Sequence, residues 1–152
     1  MDPDGVSKNT KLQVDAESPP EESLPLIWKL LVIGAGGFFG ATARYLATDA
    51  VKRSFKAPFP VETFAVNIAG CLILGALMAF VELRQGFSES TRLFLSIGIL
   101  GSFTTFSTFG NEGMDLIRTG QVRVALFYLV GSVTVGLLAV LAGRQTVRYL
   151  VA

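Results

Sequence analysis

Four stretches of the chain are predominantly apolar: about Leu26 to Thr48, Thr63 to Val81, Leu93 to Ile117 and Val122 to Ala142. Crossing a hydrocarbon core of about 30 Å takes roughly 20 helical residues, so each stretch predicts a transmembrane helix. Polar positions collect between them, at Asp49 to Glu62 and Glu82 to Arg92. An even number of spans puts both ends of the bundle on one side of the membrane. Trp28 and Lys29, with Pro25 just before them, predict an interfacial anchor and a helix start. The expected fold class is an all-α integral membrane protein with four transmembrane helices.

Composition narrows the chemistry. With 51% hydrophobic and 16% charged residues the chain lies outside the usual soluble range. Histidine is absent and Cys71 is the single cysteine, which removes the usual ligands for His-based catalysis, a Cys/His zinc site, a disulfide frame or haem. A net charge of +1 speaks against nucleic-acid binding, which needs a concentrated basic face.

That charge is unevenly spread. Residues 1–25 carry six acids against Lys8 and Lys11, with four prolines and no apolar periodicity, and predict a disordered tail. Neither a secretory signal nor a transit peptide has this pattern. From Leu26 onward there are 11 basic and 6 acidic residues, a net of +5. The expected organisation is an acidic tail over 1–25, a four-helix membrane domain over 26–145 and a short C-terminal end over 146–152.

Short-loop Lys and Arg set the orientation of a membrane protein. On the side of the termini stand Lys29, Arg84, Arg92, Arg144 and Arg148; on the other stand Arg44, Lys52, Arg53, Lys56, Arg118 and Arg123. Five against six is no bias, which predicts insertion both ways up and an antiparallel, dual-topology homodimer. Four spans enclose little volume, so a pathway through them calls for that second copy. Gly36 and Gly40, then Ala65, Ala69 and Gly70, then Ser132 and Gly136 are small residues suited to close helix approach.

Arg44 appears near the far end of an otherwise uncharged first span, where an arginine ordinarily snorkels to the interface. Asn67 lies about one and a half turns into the second span, and an unpaired amide in lipid is costly, so it should face another helix or water. Both fall at similar depth on one side. A cation and an amide donor near one mouth would attract and partly desolvate an anion.

The third span opens with apolar Leu93 to Leu100 and then reads Gly101-Ser102-Phe103-Thr104-Thr105-Phe106-Ser107-Thr108-Phe109-Gly110-Asn111-Glu112. Glycine beside β-branched and hydroxyl residues is poor helix material, which predicts a break near the bilayer midplane. Carbonyls freed there are ligands for a hard cation such as Na⁺, and copies related by a two-fold axis could share one ion. Helical projection places Thr104, Ser107 and Thr108 on one flank and Phe103, Phe106 and Phe109 on the next. Hydroxyls and phenyl edges could hold a small dehydrated anion, although the same residues could equally fill an interface and bond to their own helix.

Three segments together, Gly36 to Tyr45, Thr63 to Gly70 and Gly101 to Phe109, resemble the signature stretches of the CrcB-like fluoride channel family. The resemblance covers about residues 26 to 145. It implies a multi-pass protein of the cell membrane, a dual-topology homodimer with two fluoride pathways and a structural sodium at its centre. By motif position the sodium carbonyls fall on Gly101 and Thr104, the pathway phenylalanines on Phe106 and Phe109, and the vestibule asparagine on Asn67. A hydroxyl track falls on Tyr128 and Ser132, with Ser107 and Thr108 from the third span. Two positions depart from the family pattern: Ser102 stands where a second glycine is common, and Gly136 provides no hydroxyl where some members have serine.

The expected function is passive, selective fluoride export across the membrane, with no covalent step and hence no enzyme activity. A small proton-coupled multidrug exporter shares the four-span, dual-topology plan but requires a membrane-embedded carboxylate. The first two spans have no acid at their apolar centres, and Glu62, Glu82 and Glu112 lie toward span ends. A non-transporting membrane assembly subunit would explain the small residues but leaves the threonine-phenylalanine segment without purpose.

Overall fold

The structure is a computed structural model that describes residues 24–55, 57–84 and 87–151. Apart from Leu24 and Pro25, the acidic tail expected over 1–25 lies outside the described residues, as does Lys56. Helix α1 spans Leu26–Ser54 and α2 spans Val61–Leu83. The third span is assembled from pieces: α3 (Glu89–Arg92), a π-helical segment (Leu93–Leu100), α4 (Gly101–Phe103) and, after two extended residues, α5 (Phe106–Arg118). Helix α6 covers Val122–Val151. These make four spans of 29, 23, 30 and 30 residues, each long and apolar enough to cross a membrane. The protein is a multi-pass membrane protein.

The helices overrun the apolar stretches, so much of the polar sequence between them is helical. At the end of α1, Lys52 and Arg53 face the carbonyl end of the helix dipole, and Arg53 pairs with Asp49 one turn back at 2.7 Å. Phe55 is extended and Pro60 precedes α2, which ends one helix and starts the next. Ser88 caps α3 by accepting from the Thr91 N–H at 3.2 Å. At the tight turn between α5 and α6 the chain needs a left-handed residue, and Gly120 provides it with φ of 78°. Its N–H donates to the Ile117 carbonyl and that of Gln121 to the Leu116 carbonyl, which satisfies the end of α5. Helix α6 continues past residue 145, where a separate C-terminal end was expected, through Val151.

Water does not drive helices together inside lipid, so contact depends on close backbone approach. In α1, Gly36 and Gly40 are buried against Phe94, Gly98 and Ile99 of the π-helical segment. Their Cα–H groups face the Phe94 and Ile99 carbonyls, the geometry of weak Cα–H···O contacts. A second seam joins α2 to α6, where Gly75 lies under the Val140 carbonyl and Gly143 under the Leu72 carbonyl, with Ala79 and Ala139 buried beside them. Gly75 and Gly143 escaped the sequence reading. Of the residues it selected in α2, Gly70 is buried, against the Thr104 side chain, whereas Ala69 is exposed. Leucines such as Leu30, Leu31, Leu137 and Leu138 remain on the outside, as lipid-facing residues should.

Candidate functional site: an interrupted helix between two cavities

The expected break is present, three residues beyond the glycine that suggested it. Gly101 is helical, with φ −63° and ψ −32°, whereas Thr104 (φ −83°, ψ 159°) and Thr105 (φ −147°, ψ 116°) are extended. Threonine hydroxyls explain the position because they compete with backbone hydrogen bonds. The Thr104 hydroxyl donates to the Leu100 carbonyl at 3.2 Å, closing the helix behind it. The Thr105 hydroxyl accepts from the Thr108 N–H at 3.3 Å and so caps α5. This correction removes Thr104 from the flank shared by Ser107 and Thr108, since the projection assumed one continuous helix.

Two side chains from other spans hold the extended pair. Asn67 of α2 accepts from the Thr105 N–H at 2.9 Å and donates to the Thr105 carbonyl at 3.1 Å, so one amide satisfies both polar groups of one residue. Arg44 of α1 donates to the Thr104 carbonyl at 3.4 Å. The guanidinium therefore points into the protein, half-buried, instead of snorkelling to the interface. Arg44 and Asn67, paired in sequence only by depth, meet on adjacent residues and share the Thr104–Thr105 peptide.

A cavity lies on each side of the break. The first, about 280 Å³, is bordered by Asn67, Cys71, Ser96, Gly101, Thr104 and Phe106, among others. The second, about 250 Å³, is bordered by Arg44, Lys52, Thr63, Thr105, Thr108 and Glu112. Thr105 borders both. The second cavity thus joins two cationic side chains and one carboxylate, Glu112, to hydroxyls and to the N-terminal turn of α5, the end of a helix that favours negative charge.

Phe106 is 82% exposed beside the first cavity, with its ring centroid 5.6 Å from that of Phe109. Phe109 borders neither cavity; it is buried with Leu116, Ala125 and Tyr128, its centroid 5.1 Å from the Tyr128 ring. Tyr128 is wholly buried and its hydroxyl donates to Glu112 at 2.7 Å. The Ser132 hydroxyl is buried without a hydrogen-bond partner, a state that costs about 1–3 kcal/mol until a partner arrives. Gly136 leaves space in which a Cβ would make ordinary contact, 3.5 Å from Cys71 Sγ. Ser102 packs its hydroxyl against Gly37.

Sequence reasoning missed Thr63 and Thr105 and gave Glu112 no role. Glu112 receives the Thr63 hydroxyl at 2.9 Å as well as that of Tyr128, so its two oxygens tie α2 and α6 to α5. One signal for Thr105 was available: a threonine immediately before a helical stretch is an N-cap residue type. No comparable local pattern marks the Thr63–Glu112 pair, which is separated by 49 residues.

The carbonyls at the break suit a hard cation. Asn67 takes the Thr105 N–H, which in an unbroken helix would close on Gly101, and so frees the Gly101 carbonyl. The Thr104 carbonyl accepts one long bond from Arg44 and retains a second lone pair. Both residues border the first cavity, and neutral backbone oxygens of this kind are the donors that coordinate Na⁺ at interrupted membrane helices.

Four apolar spans, the third interrupted and pinned between two cavities, define a small multi-pass membrane protein with a broken helix at its centre. The chain belongs to the family described as CrcB-like protein, Camphor Resistance (CrcB), whose pattern matches residues 31–144. It is 41% identical over 118 residues to the "Fluoride-specific ion channel FluC 3" of Methanosarcina barkeri, covering 78% of this chain and 89% of that relative. To the "Fluoride-specific ion channel FluC" of Bacteroides fragilis it is 43% identical over 118 residues, 76% and 92% of the two chains. The protein of the same name from Methylobacillus flagellatus is 39% identical over 124 residues, with coverage of 80% and 96%.

Proposed function

We propose that this protein is a fluoride-selective channel of the cell membrane that exports fluoride passively, acting as an antiparallel homodimer with Na⁺ at its centre. The observation that carries the reading is the Thr104–Thr105 break, held by Asn67 and Arg44 between two cavities. Fluoride is small and strongly hydrated, so a pathway must replace its water with donors that do not trap it. Arg44 and the first turn of α5 attract the ion, Asn67 and the Ser107 and Thr108 hydroxyls substitute for water, and the edges of Phe106 and Phe109 carry the positive lobe of the aromatic quadrupole. Ser132 offers an unpartnered hydroxyl. For Tyr128 to serve the same track, its hydroxyl has to turn from Glu112 to the ion.

A second copy would account for three features of the chain. It would cover the exposed Phe106, pair Gly101 and Thr104 carbonyls around one Na⁺, and account for the balanced charges of the two faces. Sodium when bound neutralises carbonyl dipoles at the break; the chain's own part is to present Gly101 and Thr104, which Asn67 and Arg44 keep in position.

The direct test is efflux from proteoliposomes. Fluoride should leave rapidly and chloride far more slowly, and removal of sodium should reduce fluoride efflux. Chloride leaving at a comparable rate would defeat the selectivity. Phe106→Ile keeps the position apolar but removes the ring edge, so fluoride efflux should fall by more than about tenfold, equivalent to ~1.4 kcal/mol on the barrier. Size-exclusion behaviour of that variant should match the wild type, because isoleucine keeps the position apolar for the surface a second copy would cover.

A further inference from the structure

We propose that Lys52 is a second anion-gathering residue at the mouth of the Arg44 cavity, held there by Glu62 and released to each incoming anion. This inference rests on the fluoride-channel reading and names a residue that gathers the ion for it.

Lys52 sits in the last turn of α1, two turns beyond Arg44, and borders the same cavity as Arg44, Thr105 and Thr108. Its side chain is 58% exposed, so the ammonium meets water while its stem follows the cavity wall. Glu62, in the first turn of α2, is only 16% exposed and lies 3.5 Å from the Lys52 ammonium. The two ends of this pair differ in surroundings: the carboxylate is largely covered by protein and the ammonium is open to water. An ion pair this long and this wet contributes about 0–1 kcal/mol, which is too little to lock the lysine and enough to keep it near the mouth.

The chemistry matches the task. An ammonium is a compact, strongly hydrated charge with three rotatable donors on a flexible stem, able to turn from a carboxylate to an anion without rebuilding the site. Arg44 lies deeper and already donates to the Thr104 carbonyl, so the first cation met from water is Lys52. The cavity wall carries two cations, Arg44 and Lys52, against one carboxylate, Glu112, whose oxygens already accept the Thr63 and Tyr128 hydroxyls, and a low-dielectric cleft with a positive excess raises the local anion concentration. The other cation of this turn, Arg53, faces Asp49 on its own helix and does not border the cavity.

The alternative for the same pair is a staple between α1 and α2, and ionic strength separates the two roles. Exposed charges lose their reach as the Debye length shrinks from about 30 Å at 0.01 M to about 3 Å at 1 M. Fluoride efflux from proteoliposomes of wild type, Lys52→Gln, Lys52→Arg and Glu62→Gln is measured at low ionic strength and again in an impermeant salt near 1 M. At low ionic strength Lys52→Gln should conduct about five- to tenfold less than wild type, because it also leaves the Glu62 charge uncompensated at the mouth. High salt should bring the two within about twofold. Lys52→Arg should retain most of the wild-type rate, and Glu62→Gln, which frees the ammonium, should equal or exceed it at low salt.

A Lys52→Gln deficit of the same size at both salt concentrations would assign the pair to stapling and overturn the proposal. Equal rates for Lys52→Gln and wild type at low salt would overturn it as well. Absence of fluoride efflux from the wild type would instead defeat the channel reading itself, so the two failures are distinguishable.

Discussion

Asn67→Ala should abolish measurable fluoride efflux. In the wild type one amide satisfies both the N–H and the carbonyl of Thr105, at 2.9 and 3.1 Å. Alanine removes both bonds at once and leaves two backbone groups unpaired in a half-buried site, at about 1–3 kcal/mol each. The break can then relieve itself only by moving: Thr105 turns toward water, or its N–H closes back on Gly101. Either outcome disturbs the Gly101 and Thr104 carbonyls as well as the anion pathway. A rise of about 3 kcal/mol in the barrier corresponds to a rate loss on the order of a hundredfold. Efflux from proteoliposomes measures the loss, and dimer content on size-exclusion chromatography shows whether assembly survives. Asn67→Asp is the informative companion, since a carboxylate still accepts from the Thr105 N–H but cannot donate to the carbonyl and brings a negative charge into an anion pathway. It too should fail to conduct. Wild-type efflux in either variant would remove Asn67 from the mechanism.

The second large effect is on folding. Gly143→Val should yield little or no monodisperse protein. A Cβ at Gly143 would fall on the Leu72 carbonyl and lie 2.8 Å from the Ala76 nitrogen, and both are backbone atoms that cannot rotate away. The α2–α6 seam must open to admit the side chain, and separation also removes the Gly75–Val140 contact on the opposing helix. Overpacking that moves a backbone costs about 1–3 kcal/mol or more, a large share of a stability of about 5–15 kcal/mol. Gly34→Ala is the matched control: nothing lies within 4 Å of a Cβ there, and alanine is the better helix former. Thermal stability in detergent should fall sharply for the first substitution and hold or rise slightly for the second. Comparable stability of both variants would show that the seam yields more easily than its backbone contacts imply.

These two positions differ in how they could be found. Asn67 was visible as a lone amide in an apolar span, because burying an amide in lipid demands a partner. Its partner was not visible. A hydrogen bond to the backbone leaves no mark on the identity of the residue that receives it, so Thr105 passed for one more hydroxyl among five. Gly143 was less visible still. The chain has 16 glycines, and only the partner helix separates one that touches a carbonyl from one, such as Gly131, that touches nothing.

The third span shows the same division within a single element. Its composition announced a break, and the break is there. Its position depended on which hydroxyl turned back to Leu100 and which capped α5, a competition among neighbouring threonines that composition leaves undecided. The π-helical winding of Leu93–Leu100 was not legible in the sequence, since apart from Ser96 and Gly98 the segment is leucine, isoleucine and phenylalanine, which suit an ordinary α-helix equally well. It occurs where α1 presses its glycines against the segment.

By itself, then, the sequence determined the number of spans, the polar residues they carry and the even charge of the two faces. Those properties follow from the energy of moving side chains between water and lipid, which each residue carries with it. Only the tertiary structure decided that Arg44 and Asn67 converge on the Thr104–Thr105 peptide, that Glu112 joins three helices and that Thr105 stands between two cavities. Such contacts are set by distances between backbones packed a few ångströms apart, and residues 38 or 60 positions away in the chain bring no local rule that predicts them.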